Sequence, residues 1–443
     1  MRILIITIGS RGDVQPYVAL GKGLQSAGHE VMVATASSFE SFVTDNGLDF
    51  FPMSNGLVDL LMNDTGRGAI EEIRGVFGAI KTHFKLIKTI KPIMRELMQD
   101  CWDASSEFGP DFIAYNSKVP GAHIAEKLKI PCALAIPFPQ LVPSREMPTL
   151  GMPELGPLNK ASYGIVRAFM GLYGGFLNEW RTKTLGLGKA PRFGGLHHMA
   201  DGTPVPVLHC FSEHVVPRPT DWPECAYVTG YWFLEDDLKP SEELAAFLET
   251  GDPPVYVGFG SMSGRKPEKV TKIVVDALKA ANVRGIIATG WGGLADTDLP
   301  DSILRIKQAP HEWLFRRVAA VVHHGGAGTT AAGLRAGRPT VISPFFGDQG
   351  FWGKRVYDLG VGTIPIPQRK LTTEKLTKAI RDVTGSASIR AKAKRIGEMI
   401  ASEDGVEKAV SIIEHLGPEK PCQPRSKPII SQHGIQNRRG RGL

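Results

Sequence analysis

Short apolar runs alternate with helical patterns along the N-terminal half of the chain. The run at 2–7 is almost entirely apolar, which is typical of a strand buried on both faces of a parallel sheet. Residues 14–27 place Val18 and Leu24 among the apolar positions of a helix that ends at Gly28. The alternation continues with strands at 30–35, 111–115 and 132–136 and a helix at 121–128. Strands and helices in this order, with short connections, predict right-handed crossovers and a parallel sheet.

A second series of the same kind begins near Pro254. Its predicted strands lie at 255–259, 285–289, 319–322 and 340–343. Each one runs into a Gly-rich or polar loop, and in open α/β sheets the ligand crevice lies at such carboxyl ends. Since 443 residues exceed one ordinary core, we expect two α/β domains, at 1–216 and 241–416. The segment 217–240, with four prolines, is the expected linker, and 417–443 is expected to be a disordered basic tail.

Composition places the chain among ordinary globular proteins. Hydrophobic residues make up 42% and charged residues 22%, and no apolar run approaches the ~20 residues of a membrane span. The five cysteines are scattered without a close pair, which favours a reducing, cytoplasmic location. The net charge is +7, but the tail holds six basic residues against one acidic residue, so the body is nearly neutral. We therefore expect no nucleic-acid partner, and at most a weak membrane-surface contact through the tail.

The most informative stretch is Val-Val-His-His-Gly-Gly-Ala-Gly-Thr-Thr at 321–330. A strand, a glycine-dense turn and a helix N-terminus form an anion site, because glycines let the backbone approach a phosphate and free N–H groups favour its charge. Thr329 and Thr330 could add hydroxyl donors. His323 or His324 could add a donor or a positive charge for a departing diphosphate. The alternative is a tight turn whose histidines are simply packed.

The turn Gly-Ser-Arg-Gly-Asp at 9–13 follows the first strand and matches neither a dinucleotide fingerprint nor a P-loop. It places the carboxylate of Asp13 at the carboxyl end of the sheet, where an ionised group could act as a general base. The alternative is a helix cap, because Asp is a preferred residue at the start of a helix. The residues alone leave both interpretations open.

A polar pair, Asp348 and Gln349, follows the fourth strand of the second series, on the crevice expected to hold the His-His-Gly-Gly loop. A carboxylate and an amide side by side suit the hydroxyls of a sugar, although Asp348 could equally cap the helix at 351–359. Asp296 and Asp298 form an Asp-x-Asp pair in a polar loop without an apparent third ligand. We expect a solvated turn there and no metal site.

Together these motifs resemble the family 1 glycosyltransferases, in particular the branch of sterol glucosyltransferases and bacterial antibiotic glycosyltransferases. The resemblance covers roughly residues 1–416 and is most specific at Asp-Gln-Gly-Phe-Trp-Gly-Lys-Arg-Val, 348–356. It implies a GT-B fold, in which two Rossmann-like domains face each other across a cleft. The N-terminal domain would bind the acceptor and the C-terminal domain the nucleotide-sugar donor. It also implies inversion in a single displacement, without a metal or other cofactor.

The resemblance further implies roles for individual residues. Asp13 matches the base that deprotonates the acceptor hydroxyl, and His323 matches the histidine on the diphosphate. The other donor-site positions are Ser261, Gln308, His311, His324, Gly325, Gly326, Gly328, Thr329, Thr330, Asp348 and Gln349. Plant members have Trp where this chain has Gln308 and a ribose-binding Glu where it has Ala331, so the choice between uridine and deoxythymidine stays open. Fungal sterol enzymes carry lipid-binding domains ahead of this module, and since this chain starts at the first strand we expect a stand-alone catalytic unit.

The expected reaction is transfer of a hexose, with glucose from UDP-glucose as the expected donor, to a hydroxyl of a bulky apolar acceptor. A sterol, triterpenoid, flavonoid or polyketide would fit. The side chains that motivate an apolar acceptor are Phe138, Met147, Met152, Phe169 and Tyr173, with Tyr163 and Trp180 nearby, although some of these would simply form core. The alternatives are a UDP-sugar epimerase of the same fold, which needs no acceptor, and a non-catalytic protein that binds nucleotide-sugar or lipid.

Overall fold

A computed structural model of the protein describes residues 1–62, 75–172, 174–191, 198–235, 240–260, 267–289, 299–307 and 310–418. Its strands are β1 (Arg2–Ile6), β2 (Glu30–Ala36), β3 (Asp49–Met53), β4 (Phe112–Tyr115), β5 (Cys132–Ile136), β6 (Val207–His209), β7 (Ala226–Val228), β8 (Val255–Gly258), β9 (Gly285–Ala288), β10 (Ile303–Ile306), β11 (Ala320–His323) and β12 (Thr340–Ile342). Its helices are α1 (Arg11–Ser26), α2 (Glu40–Thr44), α3 (Gly56–Met62), α4 (Gly75–Phe108), α5 (Gly121–Leu128), α6 (Asn159–Gly171), α7 (Gly174–Lys183), α8 (Glu242–Glu249), α9 (Pro267–Ala281), α10 (His311–Phe315), α11 (Ala327–Arg335), α12 (Gln349–Asp358), α13 (Thr373–Gly385), α14 (Ala387–Ala401) and α15 (Gly405–Leu416). None of these helices is both long and apolar enough to cross a lipid bilayer.

The strands form two parallel sheets with the same winding. The first sheet has the order β3-β2-β1-β4-β5-β6-β7 and the second the order β10-β9-β8-β11-β12. In each, the chain builds outward from its first strand on one side and then crosses to the other side of that strand. The order therefore reverses between β1 and β4 and between β8 and β11, and ligands of open α/β sheets bind at such switch points. Two doubly wound α/β halves confirm the predicted fold class.

Strand β1 shows why an unbroken apolar run produces this architecture. Its side chains alternate between the two faces of the sheet, and both faces are covered by helices. Ile3 and Ile5 are fully buried in the cluster that includes Val18 of α1. Leu4 is fully buried in the cluster on the opposite face, which includes Cys101 of α4. A strand buried on both sides holds the turn that follows it in a fixed place.

The structure differs from the predicted domain boundaries in two places. Strand β7 lies inside the segment 217–240, which the sequence predicts as a linker, and it pairs with β6 in the first sheet. Helix α15 follows the second sheet in the chain but packs on the first half, where Ile413 joins the cluster that contains Leu24 of α1. The chain therefore crosses between the halves twice. The crossings touch at Gly230 and Gly405, where a Cβ on Gly405 would lie 2.4 Å from the carbonyl oxygen of Tyr231.

Candidate active site

The N-terminal side of the site is the turn after β1. Asp13 occupies the third position of α1 rather than its cap, which is Ser10. The backbone N–H and the hydroxyl of Ser10 donate to Asp13 Oδ2 at 2.8 and 3.0 Å. The carboxylate thus closes a capping box, a pairing that stabilises the helix start. It is nevertheless a quarter exposed, so capping and access to a substrate coexist.

Sequence reasoning missed the lysine that contacts this carboxylate. Lys118 lies in the turn after β4, and its Nζ is 2.6 Å from Asp13 Oδ1. Since β4 pairs with β1, the turns that follow the two strands are neighbours. No motif links two residues so far apart in the chain, and only knowledge of the strand order could have paired them.

The C-terminal side of the site begins with His323, the last residue of β11, which is fully buried. The backbone N–H of Gly325 donates to His323 Nδ1 at 3.0 Å, so the ring proton is on Nε2. Among the described residues, no atom hydrogen-bonds to His323 Nε2. Burial, and then the neighbouring His324 and His311, hold the pKa of His323 well below its usual range. His323 is therefore a neutral donor, and of the two roles the sequence left open, donor or cation, burial favours the donor.

His324 is held between two glycines. A Cβ on Gly326 would lie 2.6 Å from His324 Nε2, and one on Gly260 would lie 3.3 Å from His324 Cε1. Burial, with a contribution from His311, lowers the pKa of His324 to about 4, so this ring is also neutral at physiological pH. Gly260 and Gly326 therefore leave the space that the ring of His324 fills.

The residues of the glycine-rich loop at 325–330 divide into those that shape the turn and those that leave it open. Gly325 has φ +93°, and a Cβ there would lie 2.7 Å from Ile342 Cγ2. A Cβ on Gly328 would meet no atom within 4 Å among the described residues, so the protein itself does not require glycine at 328. The Thr330 hydroxyl donates to the carbonyl of Gly326 at 2.9 Å, which leaves Thr329 as the half-exposed hydroxyl at the start of α11.

Asp348 and Gln349 lie at the start of α12 on the same edge of the second sheet. Asp348 occupies the cap position without capping the backbone, and its Oδ2 instead accepts from Trp352 Nε1 at 2.7 Å. Burial raises the pKa of Asp348 to about 6, the Trp352 bond opposes this, and Asp13 and Lys118 add smaller effects of opposite sign. Residues of the first half therefore lie within electrostatic range of Asp348. Gln349 is buried, and its Oε1 accepts from the backbone of the preceding turn.

The other predicted donor residues are only partly described. His311 stacks on Phe315 with ring centroids 4.5 Å apart, and its Nε2 lies 3.4 Å from the hydroxyl of Tyr256. Burial lowers the pKa of His311 to about 4, with a contribution from Arg11 of the first half. Ser261 and Gln308 lie outside the described residues, as do Asp296 and Asp298. In the described ranges, no group of three or more His, Cys, Asp or Glu could hold a metal ion.

The predicted acceptor residues fall into three groups. Tyr163 and Trp180 are buried core residues, with 2% and 7% exposure. Phe138, just after the end of β5, and Met147 are half-buried and pack against the core cluster that contains Ile136, and Met152 is also half-buried. Tyr173 and the side chain of Phe169 lie outside the described residues. Phe138, Met147 and Met152 therefore remain as candidates for an apolar acceptor wall.

Comparison with known proteins decides the family. Residues 3–144 match the N-terminal domain of glycosyltransferase family 28, and residues 274–416 match the C-terminal domain of proteins like erythromycin biosynthesis protein CIII. A sterol 3-beta-glucosyltransferase of Arabidopsis thaliana is 36% identical over 96% of this chain and 70% of its own length. The chain belongs to the glycosyltransferase family that contains the sterol 3-beta-glucosyltransferases. The resemblance drawn from the motifs is thus confirmed, and this glycosyltransferase is an enzyme, as predicted.

Other relatives extend the comparison. A sterol 3-beta-glucosyltransferase of Emericella nidulans is 37% identical over 93% of this chain but only 30% of its own length. The glycotransferase of kitacinnamycin superposes with a TM-score of 0.70 over 94% of this chain and 99% of that one, at 17% identity. The glycosyltransferase VinC in complex with DTDP gives a TM-score of 0.67 at 18% identity, over 94% of this chain and 99% of that one. These structures share the fold of this glycosyltransferase.

Proposed function

We propose that this glycosyltransferase moves glucose from UDP-glucose to the hydroxyl of a sterol or a similarly bulky apolar acceptor, with inversion at the anomeric carbon. The sterol acceptor is supported by the relatives named as sterol 3-beta-glucosyltransferases, at 36–38% identity over nearly all of this chain. Half-buried Phe138, just after the carboxyl end of β5, and half-buried Met147 are consistent with an apolar acceptor.

The observation that carries the proposal is that charged groups at the two switch points lie within electrostatic range of each other. Asp13 lies at the first switch point and His323 at the second. The charge of Asp13 contributes to the raised pKa of Asp348, which lies beside the second switch point. Asp13 takes the proton of the acceptor hydroxyl while that oxygen attacks the anomeric carbon. The diphosphate leaves toward the N-terminus of α11, where His323 Nε2 and the first amides of the helix donate to it. These neutral donors and the helix dipole would stabilise the leaving group without a metal.

The proposed test is turnover against a panel of donors and acceptors. UDP-glucose with a sterol should release UDP only when the acceptor is present, and chelation of divalent cations should leave the rate unchanged. A dTDP-sugar in the panel tests the nucleotide, because VinC was solved with DTDP. UDP release that ignores the acceptor would favour hydrolysis, and sugar conversion without an acceptor would favour an epimerase. The anomeric proton coupling of the product reports inversion.

Asp13→Ala separates catalysis from binding. The variant should lose transfer by roughly 10²–10⁴-fold, the usual contribution of a general base, while its affinity for UDP stays within about twofold. Asp45→Ala, which removes an exposed carboxylate of the same half, is the matched control and should leave both unchanged. Full activity of Asp13→Ala would remove Asp13 from the mechanism.

A further inference from the structure

A lysine on the neighbouring turn holds the carboxylate of Asp13. Lys118 Nζ lies 2.6 Å from Asp13 Oδ1, and the two side chains are 37% and 25% exposed. An ion pair this open to solvent contributes little to stability, because water screens the attraction and ordering two side chains costs entropy. Stability alone therefore does not explain how firmly the surrounding turns hold the pair.

The turns around the pair are joined by Asn116, which is 5% exposed. Asn116 Nδ2 donates to the hydroxyl of Thr7 at 3.0 Å and to the carbonyl of Ile8 at 2.9 Å, both in the turn after β1. Its Oδ1 accepts from the backbone N–H of Lys118 at 3.0 Å. One buried amide thus fixes the backbone of Lys118 relative to the turn that leads to Asp13.

Gly9 leaves the space that the Asp13–Lys118 ion pair occupies. Its φ is +141°, a conformation that side chains disfavour, and a Cβ there would lie 2.3 Å from Asp13 Oδ2 and 2.6 Å from Lys118 Nζ. Any side chain at position 9 would therefore displace both the carboxylate and the ammonium. The absence of a side chain at position 9 is what lets the ion pair lie directly against the turn.

Within the described part of the chain, the hydrogen bonds of Asp13 leave one position for a substrate. An ionised carboxylate offers about four lone-pair sites, two on each oxygen. Ser10 occupies both sites on Oδ2 through its N–H and hydroxyl, and Lys118 occupies one site on Oδ1. We propose that Lys118 is a positioning residue for the acceptor base, fixing Asp13 so that the remaining lone pair of Oδ1 receives the acceptor proton. This inference rests on the proposed function.

The charges balance along the reaction. The acceptor O–H bond breaks, its oxygen forms the bond to the anomeric carbon, and the bond to the diphosphate breaks with its electron pair leaving on the diphosphate. The proton ends on Asp13 Oδ1, which becomes neutral, so the ammonium of Lys118 loses its counter-charge just as negative charge builds up on the diphosphate. Lys118 also lies within electrostatic range of the second half, since it is one of the charges that shift the pKa of Asp348.

The experiment compares Lys118→Met with Lys118→Arg in steady-state transfer. We expect Lys118→Met to lower kcat by about 10–100-fold, a part of the 10²–10⁴-fold that a general base supplies, with both KM values within about threefold. Lys118→Arg keeps a donor beside Oδ1 and should recover most of kcat. Lys127→Met is the matched control, because Lys127 is an exposed lysine on α5 that follows the same turn, and it should behave like the wild type.

A second comparison tests whether Lys118 acts through Asp13. In an Asp13→Asn background, Lys118→Met should cause no further loss of kcat, because the carboxylate it positions is gone. An equal fold-loss in both backgrounds would show that Lys118 acts independently of Asp13 and would overturn the proposal, as would a failure of Lys118→Arg to recover activity. Wild-type kcat in Lys118→Met would overturn it too.

A crystal structure of Lys118→Met needs no turnover and separates this inference from the proposed function. A rotated Asp13 carboxylate supports the positioning role, whatever the activity of the wild type. A wild type that transfers no sugar to any acceptor tried would overturn the proposed function alone. An unmoved carboxylate overturns the positioning role whatever the substrate proves to be.

Discussion

We expect the carboxylate of Asp348 to lower the stability of the folded protein while it contributes to donor binding. It packs against Trp352 at the start of α12, and burial raises its pKa from 3.8 to about 6. At neutral pH the folded protein therefore holds an ionised group that its surroundings disfavour. Asp348→Asn removes the charge, and the amide oxygen can still accept the 2.7 Å bond from the Trp352 indole. We expect this variant to be more stable than the wild type and a poorer enzyme.

The pKa shift sets the size of the gain in stability. The rise in the pKa of Asp348 from 3.8 to about 6, at ~1.36 kcal/mol per pKa unit, corresponds to ~3 kcal/mol of lost stability. The Asp348 side chain keeps part of its surface open to solvent, which screens the charge, so we expect a gain of about 1–2 kcal/mol. The folded chain binds the Asp348 proton more tightly than the unfolded chain does. The contribution of this group to the free energy of unfolding is therefore fully present below pH 3.8 and is lost as the pH rises through about 6. The advantage of Asp348→Asn should therefore appear only above about pH 4 and level off above about pH 7.

Thermal unfolding of both proteins between about pH 4.5 and pH 8 measures this difference. Asp358→Asn is the matched control, because Asp358 lies on the same helix but is exposed and paired with Lys354. It should not stabilise the protein at pH 8. Titration calorimetry with UDP-glucose should show weaker binding for Asp348→Asn. A variant less stable than the wild type at pH 8, or a difference that does not change with pH, would refute the reasoning.

Three further predictions concern His323, Gly9 and Arg181. His323→Ala should weaken donor binding and lower kcat together, by roughly tenfold or more, because the neutral Nε2 donor is lost; unchanged donor affinity by calorimetry would count against its role at the diphosphate. Gly9→Ala should reduce transfer more than about 10²-fold while the circular dichroism spectrum is retained, since its Cβ would displace Asp13 and Lys118. Arg181→Met should cost about 3 kcal/mol in urea unfolding, because Arg181 is 1% exposed and holds Glu126 through two bonds of 2.8 and 3.0 Å. Loss of less than about 1 kcal/mol would show that the Arg181 pair is not a structural anchor.

The parts of the fold that the sequence predicted are those with continuous apolar runs. Strand β1 has a clear pattern because both of its faces are buried, and helix α1 has one because its apolar positions lie on the face that packs on the sheet. Strands β6 and β7 have three residues each, too few for a period to emerge, and β7 follows a proline-rich stretch that resembles a linker. Helix α15 is amphipathic, yet nothing in its sequence states which half of the protein covers its apolar face.

The candidate site was predictable in its motifs and unpredictable in its contacts. The sequence located Asp13 and His323 because each stands where a strand meets a helix. It could not find Lys118, since that contact depends on β4 lying beside β1 and not on any spacing along the chain. A tertiary contact of this kind becomes visible only when the strand order is known.

For several residues the sequence leaves a structural and a functional interpretation open, and the contacts in the structure are compatible with both roles in one residue. Asp13 anchors Oδ2 in the helix cap and keeps a lone pair on Oδ1. His323 anchors Nδ1 on Gly325, and its Nε2 has no partner in the described part of the chain. In each case one atom ties the side chain to its own turn, so the other atom is held in place before a ligand arrives. Orientation fixed in advance costs nothing when the transition state forms, which is why a capping carboxylate and a packed histidine can be better catalytic groups than freely rotating ones.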